Sequence, residues 1–221
     1  MKKMLVIIVI LAMILVSMII YKNIAINKNK SVNVQEVEQI EEYISKIYMW
    51  KEITKEALPT FENINNANEL WVWKVIKKNL ETYETTYEEI QQKGKELFGE
   101  KFERQIPKEG NDSFYYDKES NKYLATEIVL DEEEDSFLLK DIEKEGEKYK
   151  VKIIEYIEDY SEENKVIIRN LQEEEIGRVS TTDSETKIKE IVKNNKERFS
   201  QKNIEIKKEK DNLVIEKVNK E

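Results

Sequence analysis

Residues 149–157 read Tyr-Lys-Val-Lys-Ile-Ile-Glu-Tyr-Ile, and the pattern of this stretch decides the fold class. Tyr149, Val151 and Ile153 alternate with Lys150 and Lys152, the period-two signature of a strand with one buried face. The alternation then changes face at Ile154 and Tyr156, as a bulge or a strongly bent strand would require. Glu145, Gly146 and Glu147 form a turn before the stretch, Glu158 to Asn164 form another after it, and Val166–Leu171 runs back. A long antiparallel meander is expected here.

On the N-terminal side, Tyr123–Leu130 and Ser136–Ile142 are rich in β-formers and flank the acidic run Asp131–Asp135, which predicts a hairpin with the acids at its turn. On the C-terminal side, Thr182 and Glu185 stand at capping-box spacing and open a helix carrying Ile188, Ile191, Val192 and Phe199 along one side. Ile204 and Ile206 then alternate with charge, Lys210, Asp211 and Asn212 turn, and Leu213–Val218 alternates again, giving a last hairpin.

Before Pro107 and Gly110, which punctuate Gln105–Ser113, the period is helical. Val34, Val37, Ile40, Ile44 and Ile47 fall at three- and four-residue steps with Glu36, Glu38, Glu41 and Glu42 between them. Trp50, Ile53 and Leu58 extend that trace until Pro59 stops the helix. Asn66, with Glu69 three positions on, starts a second helix through Leu70, Trp73, Ile76 and Leu80, widened by Trp71 and Val75. After a break near Thr82 to Thr86, Tyr87, Ile90, Leu97 and Phe98 mark a third, with Gly99 as its C-cap. The order is three helices, four strands, one helix and two strands. An α+β domain spanning 34–221 is predicted, 34–105 mainly helical and 113–221 mainly β, with the helices on one concave face of a bent antiparallel sheet. This element order resembles that of cystatin-like and nuclear-transport-factor-like cones; the resemblance carries no motif and implies no site.

Lys2 and Lys3 precede an uncharged, almost wholly apolar run from Met4 to Ile20, closed by Tyr21 and Lys22. At about 1.5 Å per residue, with its flanks snorkelling, the run approximately covers a hydrocarbon layer of about 30 Å. The competing reading is a cleaved signal peptide, whose shorter apolar region ends at small residues, and no such pattern follows Ser17 or surrounds Ala25. Residues 1–22 are therefore read as an uncleaved anchor contacting the lipid bilayer and 23–33 as a polar tether. Lys22, Lys28 and Lys30 nearly balance Lys2 and Lys3. An N-terminal Lys pair leading into a long apolar run is how export signals begin, so an extracytoplasmic domain is the expectation.

Composition excludes much chemistry. The 221 residues contain no His and no Cys. Disulfides, thiolate nucleophiles, Cys/His zinc sites, imidazole triads and lipid attachment at a cysteine are thereby removed. Basic residues number 37 against 46 acidic ones, so a net charge of −9 disfavours nucleic acid as a partner. No phosphate loop, dinucleotide fingerprint, HExxH or GxSxG is present.

The remaining candidates are bland beside their structural readings. The contiguous acids Asp131–Asp135 lack the alternate spacing and central Gly of a Ca²⁺ loop and read as a solvated turn; Glu173, Glu174 and Glu175 read as still more ordinary. Trp71 and Trp73 lie about 200° apart on a helix, which assigns Trp73 to the core and Trp71 to a helix–sheet margin. Tyr83, Tyr87, Tyr115, Tyr116, Tyr123, Tyr149, Tyr156 and Tyr160 read as core residues with polar tips. No catalytic, metal or cofactor site is assigned. The expected role is a non-catalytic interaction domain for an unknown protein partner, with a small-molecule or peptide sensor and a carboxylate hydrolase of wall polymers as alternatives.

Overall fold

The computed structural model describes residues 32–49, 54, 56–126, 133–183 and 185–221. The proposed anchor from Met4 to Ile20 lies outside them, and among the described residues no helix is long and apolar enough to cross a membrane. The fold is α+β, and the described residues form four named α-helices and two antiparallel sheets.

Helix α1 (Val34–Ile47) starts at a full capping box: Asn33 Oδ1 accepts from Glu36 N at 2.9 Å, and the Glu36 carboxylate accepts from Asn33 N at 3.1 Å. It ends at Ile47 rather than near Pro59, because Tyr48 is already extended (φ −78, ψ 128); Trp50 and Ile53 fall outside the described residues. Helix α2 (Glu69–Lys78) is capped by Asn68, not Asn66. Asn66 instead closes a 3-10 turn, Ile64–Asn66, that Asn63 caps. Three asparagines compete for one role here, and the winner is the one whose carbonyl and side chain meet the first turn of the longer helix. Helix α3 (Tyr87–Phe98) has Thr86 and Glu89 as its capping box and Gly99 at φ 88 as its C-cap.

Glu36 does more than cap. Its carboxylate also receives the Lys144 ammonium and, at 3.0 Å, the Tyr149 hydroxyl. These bonds, Lys144 first, hold its pKa down from 4.5 to about 2. A carboxylate with a depressed folded-state pKa contributes stability above its unfolded value and loses it as pH falls from about 4.5 towards 2. Glu36→Gln is therefore expected to lower stability by about 1 kcal/mol at pH 6, the scale of a lost cap, and by progressively less as pH drops to 2. Urea unfolding of both forms across that range checks it; a constant difference at every pH would refute the linkage.

Strands β1 (Glu84–Thr85), β2 (Phe114–Asp117) and β3 (Lys122–Ala125) make a small sheet of order β1-β3-β2. The larger sheet holds β4 (Glu133–Glu145), β5 (Lys148–Asp159), β6 (Lys165–Arg169), β7 (Glu175–Ser180), β8 (Ser200–Glu209) and β9 (Asn212–Lys220), with α4 (Glu185–Asn194) between β7 and β8. β5 is its axis. β4 pairs along one side from Glu145↔Lys148 to Glu133↔Asp159. The other side is shared, by β8 over residues 148–155 and by β6 over 157–159. Strands β1, β2 and β7 were not anticipated; all are short, and in β7 Gly177 lies where Ile191 of α4 packs close.

Three expectations are corrected. The hairpin between 123–130 and 136–142 does not form, since β3 and β4 belong to different sheets. Glu133, Glu134 and Asp135 are strand, not turn, because β5 runs on to Asp159 and supplies them with partners. The change of face at Ile154 is not a bulge in β5 either: its register against β8 runs unbroken from Lys148↔Lys207 to Glu155↔Ser200. Instead β5 has a core on each face. Tyr149, Val151 and Ile153 join the main core with α1, α2 and α3, whereas Ile154 and Tyr156 join a second core with Val166, Ile168, Ile188, Val192 and Phe199. Alternation continues, but both faces are now dry.

Candidate functional site

A charged residue enclosed by apolar ones is costly unless paired, so such residues are the first places to look for a site. Glu155 interrupts Ile153, Ile154, Tyr156 and Ile157, and it is 0 % exposed. Its carboxylate lies 3.2 Å from the ammonium of Lys202, itself 2 % exposed. Tyr48 Oη donates to one carboxylate oxygen at 3.2 Å and Ser200 Oγ to the other at 3.1 Å. Lys202 also donates to the Leu58 carbonyl. Every partner is supplied from within the core, so this network reads as a brace joining the end of α1, the loop before Pro59 and the central strands.

Beside it opens a cleft of about 550 Å³ between Tyr48, Lys78, Phe137 and Tyr156 and the acids Glu41, Glu134, Asp135, Glu158 and Glu185. The Lys78 ammonium is engaged with the Ser45 and Tyr48 carbonyls at 3.0 and 2.8 Å, where it caps α1. Glu36, Glu42, Glu89, Asp117, Asp159, Glu175, Asp183, Glu209 and Glu221 are displaced downward, by lysine, arginine, hydroxyl or backbone donors.

The small sheet differs. Tyr115, Leu124 and Glu84 lie side by side across it, as do Tyr116, Tyr123 and Thr85 in the next row. The second row turns inward, with Tyr123 buried and its ring 5.1 Å from that of Tyr116. The first row faces out: Tyr115 is 62 % exposed, and Tyr83, just before β1, is 59 % exposed. Tyr87, at the start of α3, is exposed as well. The eight tyrosines thus divide. Tyr123, Tyr149 and Tyr156 are buried as expected, Tyr116 is half-buried, and Tyr83, Tyr87, Tyr115 and Tyr160 are exposed. Alternation on a two-sided strand puts one of each adjacent pair into solvent, as with Tyr115 against Tyr116.

The other sequence candidates resolve differently. Trp71 does not lie at a margin; it is wholly buried like Trp73, because α2 is covered on almost every side. Of the acidic run, Glu134 and Asp135 sit in β4, and Asp131 and Glu132 lie outside the described residues. Glu173 takes a left-handed turn position at φ 66, Glu174 pairs with Arg198 at 2.6 Å, and Glu175 pairs with Arg178 at 2.7 Å. Among the described residues no acidic cluster is arranged to hold a metal ion. Neither Glu155–Lys202 nor the Tyr115 face was singled out from sequence. A charge inside the apolar run Ile153–Ile157 was the available sign for the first.

Compared with family models, curated proteins and solved structures, the chain finds no match.

Proposed function

We propose that this chain is a membrane-tethered, non-catalytic interaction domain, held outside the membrane by the run from Met4 to Ile20, whose small sheet offers its tyrosine face to a protein partner. The observation that carries the reading is the exposure of Tyr115 on the outer row of this sheet, with Tyr83 also exposed just before β1, while Thr85 and Tyr123 of the inner row are buried. Tyrosines carry a large apolar ring with a polar tip, and they are enriched among the residues that dominate protein interfaces. A tether adds to this by confining the chain to two dimensions, so that modest affinity suffices.

Crosslinking in intact cells, followed by capture of the full-length chain, tests it. The wild type is expected to recover a protein that the Tyr83→Ala/Tyr115→Ala double variant loses, while the variant's stability stays within about 0.5 kcal/mol, as exposed substitutions do. Recovery of only lipid and the chain itself would sink the reading, as would recovery of the same partner by both forms. Protease shaving of intact cells tests the side: degradation of 34–221 is expected.

A further inference from the structure

Helix α1 separates two ends of the domain, and the chain that precedes it joins only one of them. At its start Asn33 and Glu36 lie beside the β4–β5 hairpin, where the Glu36 carboxylate receives the Tyr149 hydroxyl at 3.0 Å. Lys208 N donates to the Glu147 carbonyl at 2.8 Å, so the β8–β9 hairpin tip belongs to this end too. The other end of α1 is 14 residues on, about 21 Å away at about 1.5 Å per residue. There Lys78 Nζ donates to the Ser45 and Tyr48 carbonyls at 3.0 and 2.8 Å, and Asn79 Nδ2 donates to the Lys46 carbonyl at 2.8 Å. The end of α2 is thus fastened to the end of α1.

The small sheet is carried by this second end. From α2, Lys74 Nζ donates to the Asp112 carbonyl just before β2 at 3.0 Å, and Lys77 Nζ donates to Thr126 Oγ1 just after β3 at 3.2 Å. Both lysines are buried, so the helix grips the sheet directly. Helix α3 gives the same layout independently. It begins at Tyr87, two residues past β1, and its 12 residues cover about 18 Å. It ends against α1 and the last hairpin: Tyr43 Oη donates to the Leu97 carbonyl at 2.8 Å, and Gly99 stands against Glu209 and Val214. Two helices therefore set the tyrosine face apart from the point where the preceding chain enters.

We infer that the tyrosine face is the membrane-distal end of the chain and that its occupant is a protein not embedded in the same bilayer. The inference rests on the proposed anchor and on the proposed tyrosine face. Residues 23–33, read from sequence as the tether, span at most about 40 Å when fully extended. They hold the Asn33 end near the headgroups, and a domain pinned at one end beside a surface it cannot enter keeps its opposite end farther out. A transmembrane neighbour therefore meets the hairpin turns first, whereas a protein outside the bilayer meets Tyr115. The chemistry of the face suits a protein patch: Tyr115 stands beside half-buried Leu124, and the Lys122–Glu84 pair, at 2.9 Å, gives it a polar border.

The sequence has no Cys, so a single introduced cysteine takes a dye at one place. Lys118→Cys reports from the β2–β3 turn, and Glu147→Cys and Asp211→Cys report from the turns at the other end; all three positions are exposed. With the full-length chain in liposomes carrying an acceptor dye on their headgroups, strong energy transfer is expected from 147 and 211, with most of it lost at 118. Equal transfer at the three positions, or the strongest at 118, overturns the placement. Transfer from none of them removes the anchor on which the inference rests. In intact cells, photoreactive benzoylphenylalanine in place of Tyr115 is expected to crosslink a protein that, in unirradiated cells, an alkaline carbonate wash releases from the membranes. A crosslinked protein that resists the wash, or a lipid adduct, overturns the occupant. Crosslinking of nothing removes the tyrosine face itself, a failure told apart from the others because the dye measurement leaves Tyr115 in place.

Discussion

Lys202→Met is expected to destabilise the fold by about 3–5 kcal/mol, the scale for removing one partner of a buried ion pair. The methionine fills most of the lysine's volume, so the loss comes mainly from charge and not from a cavity. Glu155, at 0 % exposure, would be left with only the Tyr48 and Ser200 hydroxyls, and the Leu58 carbonyl would lose its donor. Glu155→Leu alone is expected to be as severe, since it strands the ammonium. The double variant is expected to lie within about 1–2 kcal/mol of the wild type, because the desolvation of both charges disappears together and Tyr48 Oη keeps its bond to the Ser136 carbonyl at 3.3 Å. Urea unfolding of the four forms gives the coupling energy. Additive losses would show that the two charges act separately and that the brace is not one unit.

The same pair shows what the sequence could and could not display. The strand holding Glu155 was legible, because Tyr149, Val151 and Ile153 alternate with lysines over a face that meets water. Its second half was legible only as a disturbance. From Ile153 to Ile157 every residue is buried, and nothing local distinguishes a disturbed strand from one clasped by two cores. That distinction depends on α4 folding back onto the far face, a contact between residues far apart in the chain. Pairing partners were hidden for the same reason: Glu133–Asp135 is turn-like by composition and became strand because β5 is long enough to reach it. The end of α3 was legible from Gly99, the single C-cap candidate, but among Asn63, Asn66 and Asn68 only packing chose. Lys74 and Lys77 were readable in principle as charges within an apolar helical run, but that their ammonium groups reach the Asp112 carbonyl and the Thr126 hydroxyl is a property of the folded chain.

Trp71→Ala is expected to cost about 3–5 kcal/mol, near the upper range for one core side chain. Trp71 is wholly buried, with the rings of Phe61 and Phe98 each 5.7 Å away, so α1, α3 and the segment that bridges Phe61 to Val218 of β9 meet through it. The more informative variant is Trp71→Phe. The indole Nε1 donates to the Ile47 carbonyl at 3.1 Å and the Ala57 carbonyl at 3.2 Å. Ile47 is the last residue of α1, so its carbonyl has no partner within the helix, and α1 stops there although the apolar pattern runs on. Phenylalanine retains most of the packing but leaves both buried carbonyls without this donor, an expected loss of about 1–3 kcal/mol. Trp73→Phe is the matched control: its Nε1 reaches the Glu69 carboxylate at 3.3 Å in a partly exposed setting, where water can substitute. The Trp71 variant should therefore unfold at lower urea than the Trp73 variant, with unchanged slopes. Equal midpoints would mean that the indole bridge across the end of α1 adds nothing, and that Trp71 acts through its bulk alone.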